Sequence, residues 1–134
     1  MKKRVVITGE GSISPLGHNS QSLWENLVKG KSGIDHISSF DTENFSIKIA
    51  GEVKDFDPNN FFEAKEARKL DRFTMFGLIA AEQALQNSNY KSSDAGVIVG
   101  TGVGGMHTLE EEHQKLIKKG QRGVSPFYVP KMIP

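Results

Sequence analysis

The residues able to do chemistry in this sequence are few and scattered. Its 134 residues include four histidines and no cysteine. Without a thiol there is no disulfide framework, no thiolate metal site and no cysteine nucleophile within these residues. His18 and His36 fall in loops, each isolated. His107 and His113 stand six apart, a spacing that does not place them on one helical face. No set of His, Cys and Asp has the spacing of metal ligands. The expectation is therefore no catalytic group, no cofactor-binding residue and no metal ligand in this stretch.

Glycine supplies the most suggestive pattern. In "GTGVGG", Gly100, Gly102 and Gly105 satisfy G-x-G-x-x-G between an apolar run and a helix-like stretch. That local context suits a phosphate at a helix N-terminus. The wider context does not. A dinucleotide site expects a carboxylate about 20 residues on, at the end of a following strand, and here that region reads "KKGQRG". The Gly-Lys-Ser/Thr ending of a P-loop is absent. Gly9 and Gly11 are followed by Ser14 where a third glycine is required. What remains is steric: Gly102, Gly104 and Gly105 allow positive φ and close approach to another element or a ligand. Two smaller groups stand out. Lys69, Asp71 and Arg72 flank a helix start, where Asp71 is either a cap or part of a positioning or subunit contact. Phe127 and Tyr128, between Pro126 and Pro130, sit on a stiff extended segment that can line a pocket or interface, or fill core.

Behind these groups the elements alternate. "RVVITG", 4–9, reads as a buried strand, and "EGSISPLGHN" as a loop. "SQSLWENLVKG" predicts a helix, with Ser22 and Glu25 at capping-box spacing, Ser20 as another possible cap and Gly30 in the C-terminal turn. Its Leu23, Trp24, Leu27 and Val28 predict a core-packed face. "FSIKIAGEV", 45–53, alternates as a half-buried strand. "FDPNNFFEAKEARKL" predicts a short helix with Asn60 and Glu63 as a box-like pair. Residues 71–89 predict a central helix packed on several sides, with Gly77 and the alanines allowing close approach. "AGVIVG", 95–100, reads as a strand covered on both faces. Residues 106–120 predict an amphipathic helix with Met106, Leu109, His113 and Leu116 sharing a face, early Glu and late Lys suiting the helix dipole and Glu111 able to pair with Lys115.

Composition narrows the class. Apolar residues are 37%, charged residues 25%, and net charge is +1. No Lys/Arg stripe suggests nucleic acid. The basic start runs into too short an apolar stretch for a signal peptide, and no segment reaches membrane-span length, so no membrane partner and a cytoplasmic address are expected. The class is α/β. The strands are too few for a complete doubly wound sheet, and "SPFYVPKMIP" ends on apolar residues, so a partial chain is expected.

Four stretches together, "RVVITGEGSISPLG", "KLDRFTMFGLIAAEQAL", "VIVGTGVGG" and "SPFYVPKMIP", resemble the beta-ketoacyl-acyl-carrier-protein synthases, and among them the synthase II group of bacterial fatty acid synthesis. The resemblance covers essentially the whole chain. It implies a thiolase-like fold of two duplicated α/β halves, of which residues 1–134 would be the N-terminal part of the first. It also implies a homodimer without cofactor that condenses an acyl thioester with malonyl-acyl carrier protein, with acyl carrier protein as partner. The family's cysteine and two histidines would lie beyond Pro134, so this stretch alone would be inactive. Val103 matches a branched aliphatic position lining the acyl-chain pocket. Tyr128 matches an aromatic position, more often Phe, that reaches toward the partner subunit's pocket. Glu10 and Lys131 depart from residues usually uncharged there. The alternatives are a nucleotide-binding α/β domain using Gly100–Gly105 and a non-catalytic partner subunit of the same fold.

Overall fold

The computed structural model describes residues 3–133. The chain forms two compact units. One is built from residues up to Phe56 with Ile79–Tyr90, the other from Asp57–Leu78 with the residues from Lys91 onward.

In the first unit, helix α1 spans Ser20–Val28 and starts at Asn19. Asn19 has extended backbone, and its Oδ1 accepts the Ser22 amide at 2.8 Å while Ser22 Oγ accepts the Asn19 amide at 3.4 Å. This reciprocal box replaces the predicted Ser22–Glu25 pair and the Ser20 cap: the side chain just before the helix is the one that reaches the free first-turn amides. Gly30, at φ 67°, closes the C-terminus as expected. Trp24, Leu27 and Val28 are exposed, contrary to the predicted core face. The helix is tied down instead by Asn26, whose Nδ2 donates to the Leu16 carbonyl at 2.6 Å.

The predicted strand 45–53 shrinks to two residues. Strand β1, Asp35–His36, pairs antiparallel with β2, Ile49–Ala50, placing Asp35 opposite Ala50. His36 therefore lies in a strand, not a loop. Phe45, Ile47 and Ile49 are exposed, so the alternation does not mark a half-buried face here. The hairpin is held by side chains. Lys54 Nζ lies 2.6 Å from Asp35 Oδ2, and Glu52 accepts from the Ser38 amide and hydroxyl, both at 2.8 Å, and from the Ser39 amide at 3.1 Å. Hydrogen bonds from Ser39 and Ser38 push the Glu52 carboxyl down to about 2.

In the second unit, Asp57 caps a single 3₁₀ turn over Pro58–Asn60, accepting the Asn59 amide at 2.9 Å. Helix α2, Ala64–Ala67, begins at Glu63 without a side-chain cap, so the predicted Asn60–Glu63 pair does not form. Asp57 already provides the acceptor and Pro58 the fixed φ that nucleate this turn.

Helix α3, Arg72–Ser88, contributes its start to the second unit and its remainder to the first. Asp71, Met75 and Ile79 form a buried i, i+4, i+8 stripe, but Leu78 and Leu85 are exposed. The close approach expected of Gly77 is absent: a Cβ there would meet nothing within 4 Å among the described residues. Within the first unit it occurs at Gly9 and Gly11, whose backbones lie against α3 at Ala84 and Ala80. Two residues of extended chain advance about 6.7 Å and four residues of helix about 6 Å, so alternate residues of the extended segment meet successive helical turns. Gln83 and Asn87 secure that register. Gln83 accepts the Ser12 amide at 3.0 Å and donates to the His18 carbonyl at 2.7 Å, and Asn87 donates to the Glu10 carbonyl at 2.9 Å. The Glu10 side chain itself is exposed to solvent.

Helix α4 spans Met106–Lys119 and α5 spans Tyr128–Met132. The two runs predicted as buried strands form none. Val5 and Ile7 are 93% and 91% exposed, and Val97 and Ile98 are 83% and 99% exposed. An apolar run becomes a strand only when a neighbour takes its N–H and C=O groups, and among the described residues neither run has such a neighbour.

Candidate functional site

The glycine loop and the helix behind it lie wholly within the second unit. Gly104 takes φ 75°, a left-handed turn that glycine adopts without penalty. A Cβ there would collide with the Met132 carbonyl oxygen, and one at Gly105 would come within 2.9 Å of both the Lys131 carbonyl oxygen and Asp71 Oδ2. Gly102 has no such constraint, so the steric reading holds for Gly104 and Gly105 alone. The loop is closed on itself and held at its downstream end: the Gly104 amide donates to Thr101 Oγ1 at 3.1 Å and the Gly105 amide to the Met132 carbonyl at 3.0 Å.

Glycine at the start of α4 brings no capping side chain. Asp71 supplies one from another helix. Its Oδ1 accepts the Phe73 amide of α3 at 3.2 Å, while Oδ2 accepts the Thr108 amide of α4 at 3.2 Å and the Thr108 hydroxyl. Asp71 and Thr108 are both buried. One carboxylate thus caps two helices, with the positive ends of both dipoles directed at it. This answers the phosphate question physically. The Gly105, Met106 and Thr108 amides are taken by Met132, Gly104 and Asp71, and an anion placed there would meet a carboxylate.

The rest of α4 reverses the predicted amphipathicity. Met106, His113 and Leu116 are exposed, whereas Thr108 and Glu112 are buried. Polar partners decide which face packs. Glu112 accepts Lys115 Nζ at 2.7 Å and the Ser125 amide at 2.6 Å. The Lys115 hydrogen bond, then that of Ser125, holds its carboxyl below the usual range, with the charge of Lys131 adding to the effect. The predicted Glu111–Lys115 pair is present at 3.9 Å.

Val103 stands at the tip of the glycine loop, 65% exposed. Tyr128 is the first residue of α5 and half-buried. The segment predicted as extended is this short helix: Pro130 falls in its first turn, where no intrahelical N–H is needed. Phe127 precedes α5, with Lys69 Nζ 5.7 Å from its ring centroid. Val103 and Tyr128 sit on two segments joined by backbone, since α5 ends in the carbonyl that anchors Gly105. The histidines do not converge. His18 is engaged through Nε2 with the Lys54 carbonyl at 2.9 Å, and His107 lies 3.4 Å from Glu111. Among the described residues no group of His, Cys, Asp and Glu could hold a metal, and no helix is long and apolar enough to cross a membrane.

Sequence reasoning missed two links, Asp71 to Thr108 and Glu112 to Ser125. The first left a trace: a helix opening on glycine needs a cap from elsewhere.

Residues 2–134 match the family model described as the beta-ketoacyl synthase N-terminal domain. The chain belongs to that family. It is 46% identical over 137 aligned residues to 3-oxoacyl-[acyl-carrier-protein] synthase 2 of Staphylococcus aureus strain N315, covering 98% of this chain and 33% of that protein. The same name, identity and coverages hold for a relative from Vibrio cholerae. The beta-ketoacyl synthase domain here thus spans about a third of the length of these curated relatives. Among solved structures, the ishigamide ketosynthase/chain length factor superposes with a TM-score of 0.79 at 27% identity, over 95% of this chain and 33% of that one. A type II polyketide synthase acyl-carrier protein complex with its ketosynthase gives 0.76 at 25% identity, over 99% and 36%. The fold is the thiolase-like α/β fold of ketosynthases, matched to its N-terminal part.

Proposed function

We propose that residues 1–134 are the N-terminal part of a 3-oxoacyl-[acyl-carrier-protein] synthase of fatty acid elongation, a cytoplasmic homodimer whose partner is acyl carrier protein. The reaction is a decarboxylative condensation of an acyl thioester with malonyl-acyl carrier protein. The observation that carries this reading is 46% identity across nearly the whole chain to synthases three times its length. The exposed apolar runs at 5–7 and 97–99 agree with it, as segments without strand partners that the remaining two thirds would pair and cover.

The condensation needs a thiolate to accept the acyl group, donors to stabilise the thioester oxyanion and histidines to support decarboxylation. No cysteine lies in these residues, so their contribution is the pocket. Val103 and Tyr128 are its proposed walls, one on the glycine loop and one on α5. The second reading, a partner subunit of the same fold without a nucleophile, draws on the likeness to the solved ketosynthase/chain length factor.

The test is carbon dioxide release and 3-oxoacyl product formation from acyl- and malonyl-acyl carrier protein. The full-length polypeptide containing residues 1–134 is expected to turn over and the 134-residue chain alone to be silent. No product from a folded full-length polypeptide would overturn the enzymatic reading in favour of the partner subunit. Turnover by the short chain would overturn its inactivity.

A further inference from the structure

We propose that Asp71 is a positioning residue for the acyl-chain pocket: by joining the first turns of α3 and α4 it sets where the 101–105 loop holds Val103. This rests on the reading of Val103 as a pocket wall.

Val103 is largely exposed at a loop tip, so packing around its own side chain does little to place it. Its position follows from how the loop is closed and where its downstream end is held. Within the loop, Thr101 Oγ1 takes the Gly104 amide and closes the turn around Val103. Downstream, Met132 takes the Gly105 amide, and Asp71 takes the amide and hydroxyl of Thr108 one turn into α4. Only a few residues separate these anchors, so a shift of the α4 start passes directly to Val103. Asp71 is itself fixed by capping α3 through its other oxygen. Gly105 is matched to this arrangement, because any side chain there would press on the Asp71 carboxylate and the α5 backbone. The carboxylate is buried and its oxygens are engaged by the Phe73 amide and by the Thr108 amide and hydroxyl, so the role proposed for it is through the loop.

The experiment uses the full-length polypeptide, with short and long acyl thioesters as competing primers. In Asp71→Asn the one remaining acceptor oxygen can serve Thr108 or Phe73 but not both, because the NH2 group accepts nothing, so the join between α3 and α4 is broken. Its KM for the long primer is expected to rise roughly ten-fold, with the short primer and kcat changed less than about two-fold. Thr108→Val should move the same ratio in the same direction, and Thr108→Ser, which keeps the hydroxyl, should restore it. If Asp71→Asn does not fold, the two Thr108 variants decide. Equal losses for both primers, or an unchanged ratio, would overturn the proposal and leave Asp71 a structural cap. Val103→Phe separates the layers. If it shifts the primer ratio and the Asp71 and Thr108 variants do not, the inference fails alone. If it shifts nothing in an active enzyme, or the unaltered protein makes no product, the pocket reading fails and the inference with it.

Discussion

Two glycine segments, 9–11 and 100–105, look alike in sequence: each follows a β-branched run. The structure uses them differently. Gly9 and Gly11 lie flat on a helix backbone, where the missing Cβ lets chain and helix touch at Ala84 and Ala80. Gly104 turns the chain through positive φ, and Gly105 yields its capping role to a carboxylate from another helix. The first segment is a packing surface and the second a tight turn held at its α4 end. A glycine pattern alone does not distinguish the two.

The largest effect is expected where glycine meets backbone. A Cβ at Gly11 falls 2.7 Å from Gln83 Cβ and 2.9 Å from the Ala80 carbonyl carbon, so Gly11→Val should cost about 3 kcal/mol or more in urea unfolding of the full-length polypeptide. A neutral result would erase the packing half of the comparison.

Asp71→Ala comes next. It removes the cap of two helices and leaves the buried Thr108 hydroxyl without its acceptor, for about 2 kcal/mol by the same measurement. If the cost matched that of one exposed cap, about 1 kcal/mol or less, the double cap would carry no extra weight.

Acid tests the carboxylate links. Glu52 titrates at about 2 in the folded chain against the usual 4.5, and Glu112 is also lowered. A depressed folded value means the stabilisation is complete above the ordinary glutamate range and drains as pH falls toward the folded value. Stability should therefore decline from about pH 4.5 downward, and Glu112→Gln should flatten part of that decline in a pH series of urea midpoints. A parallel series for the variant and the unaltered protein would remove Glu112 from the account.

The smallest effect belongs to Gly102, where a Cβ meets nothing within 4 Å among the described residues. Gly102→Ala should leave the unfolding free energy from urea titration within about 0.5 kcal/mol of the original. A larger loss would show that the whole loop, not only Gly104 and Gly105, is sterically constrained.

The helices were legible because their signals are local. The starts and ends of α1, α3 and α4 follow periodicity and turn residues close to where they act, and Asp71 was visible as a possible cap. The faces were not. Trp24 and Val28 were expected inside and are exposed, and α4 packs Thr108 and Glu112 where Met106 and Leu116 were expected. A helical wheel shows which residues share a side. It does not show that a buried acceptor elsewhere makes the polar side the packed one.

What the sequence determined by itself is the family, through motifs spread in order along the chain, and the absence of a thiol nucleophile from these residues. It also determined most helix boundaries, since those depend on neighbours within a turn or two. Only the tertiary structure decided what each buried carboxylate holds and which glycines touch another backbone. Those contacts join residues such as Asp71 and Thr108, distant in sequence, and a hydrogen bond between them depends on a few tenths of an ångström that no local pattern encodes.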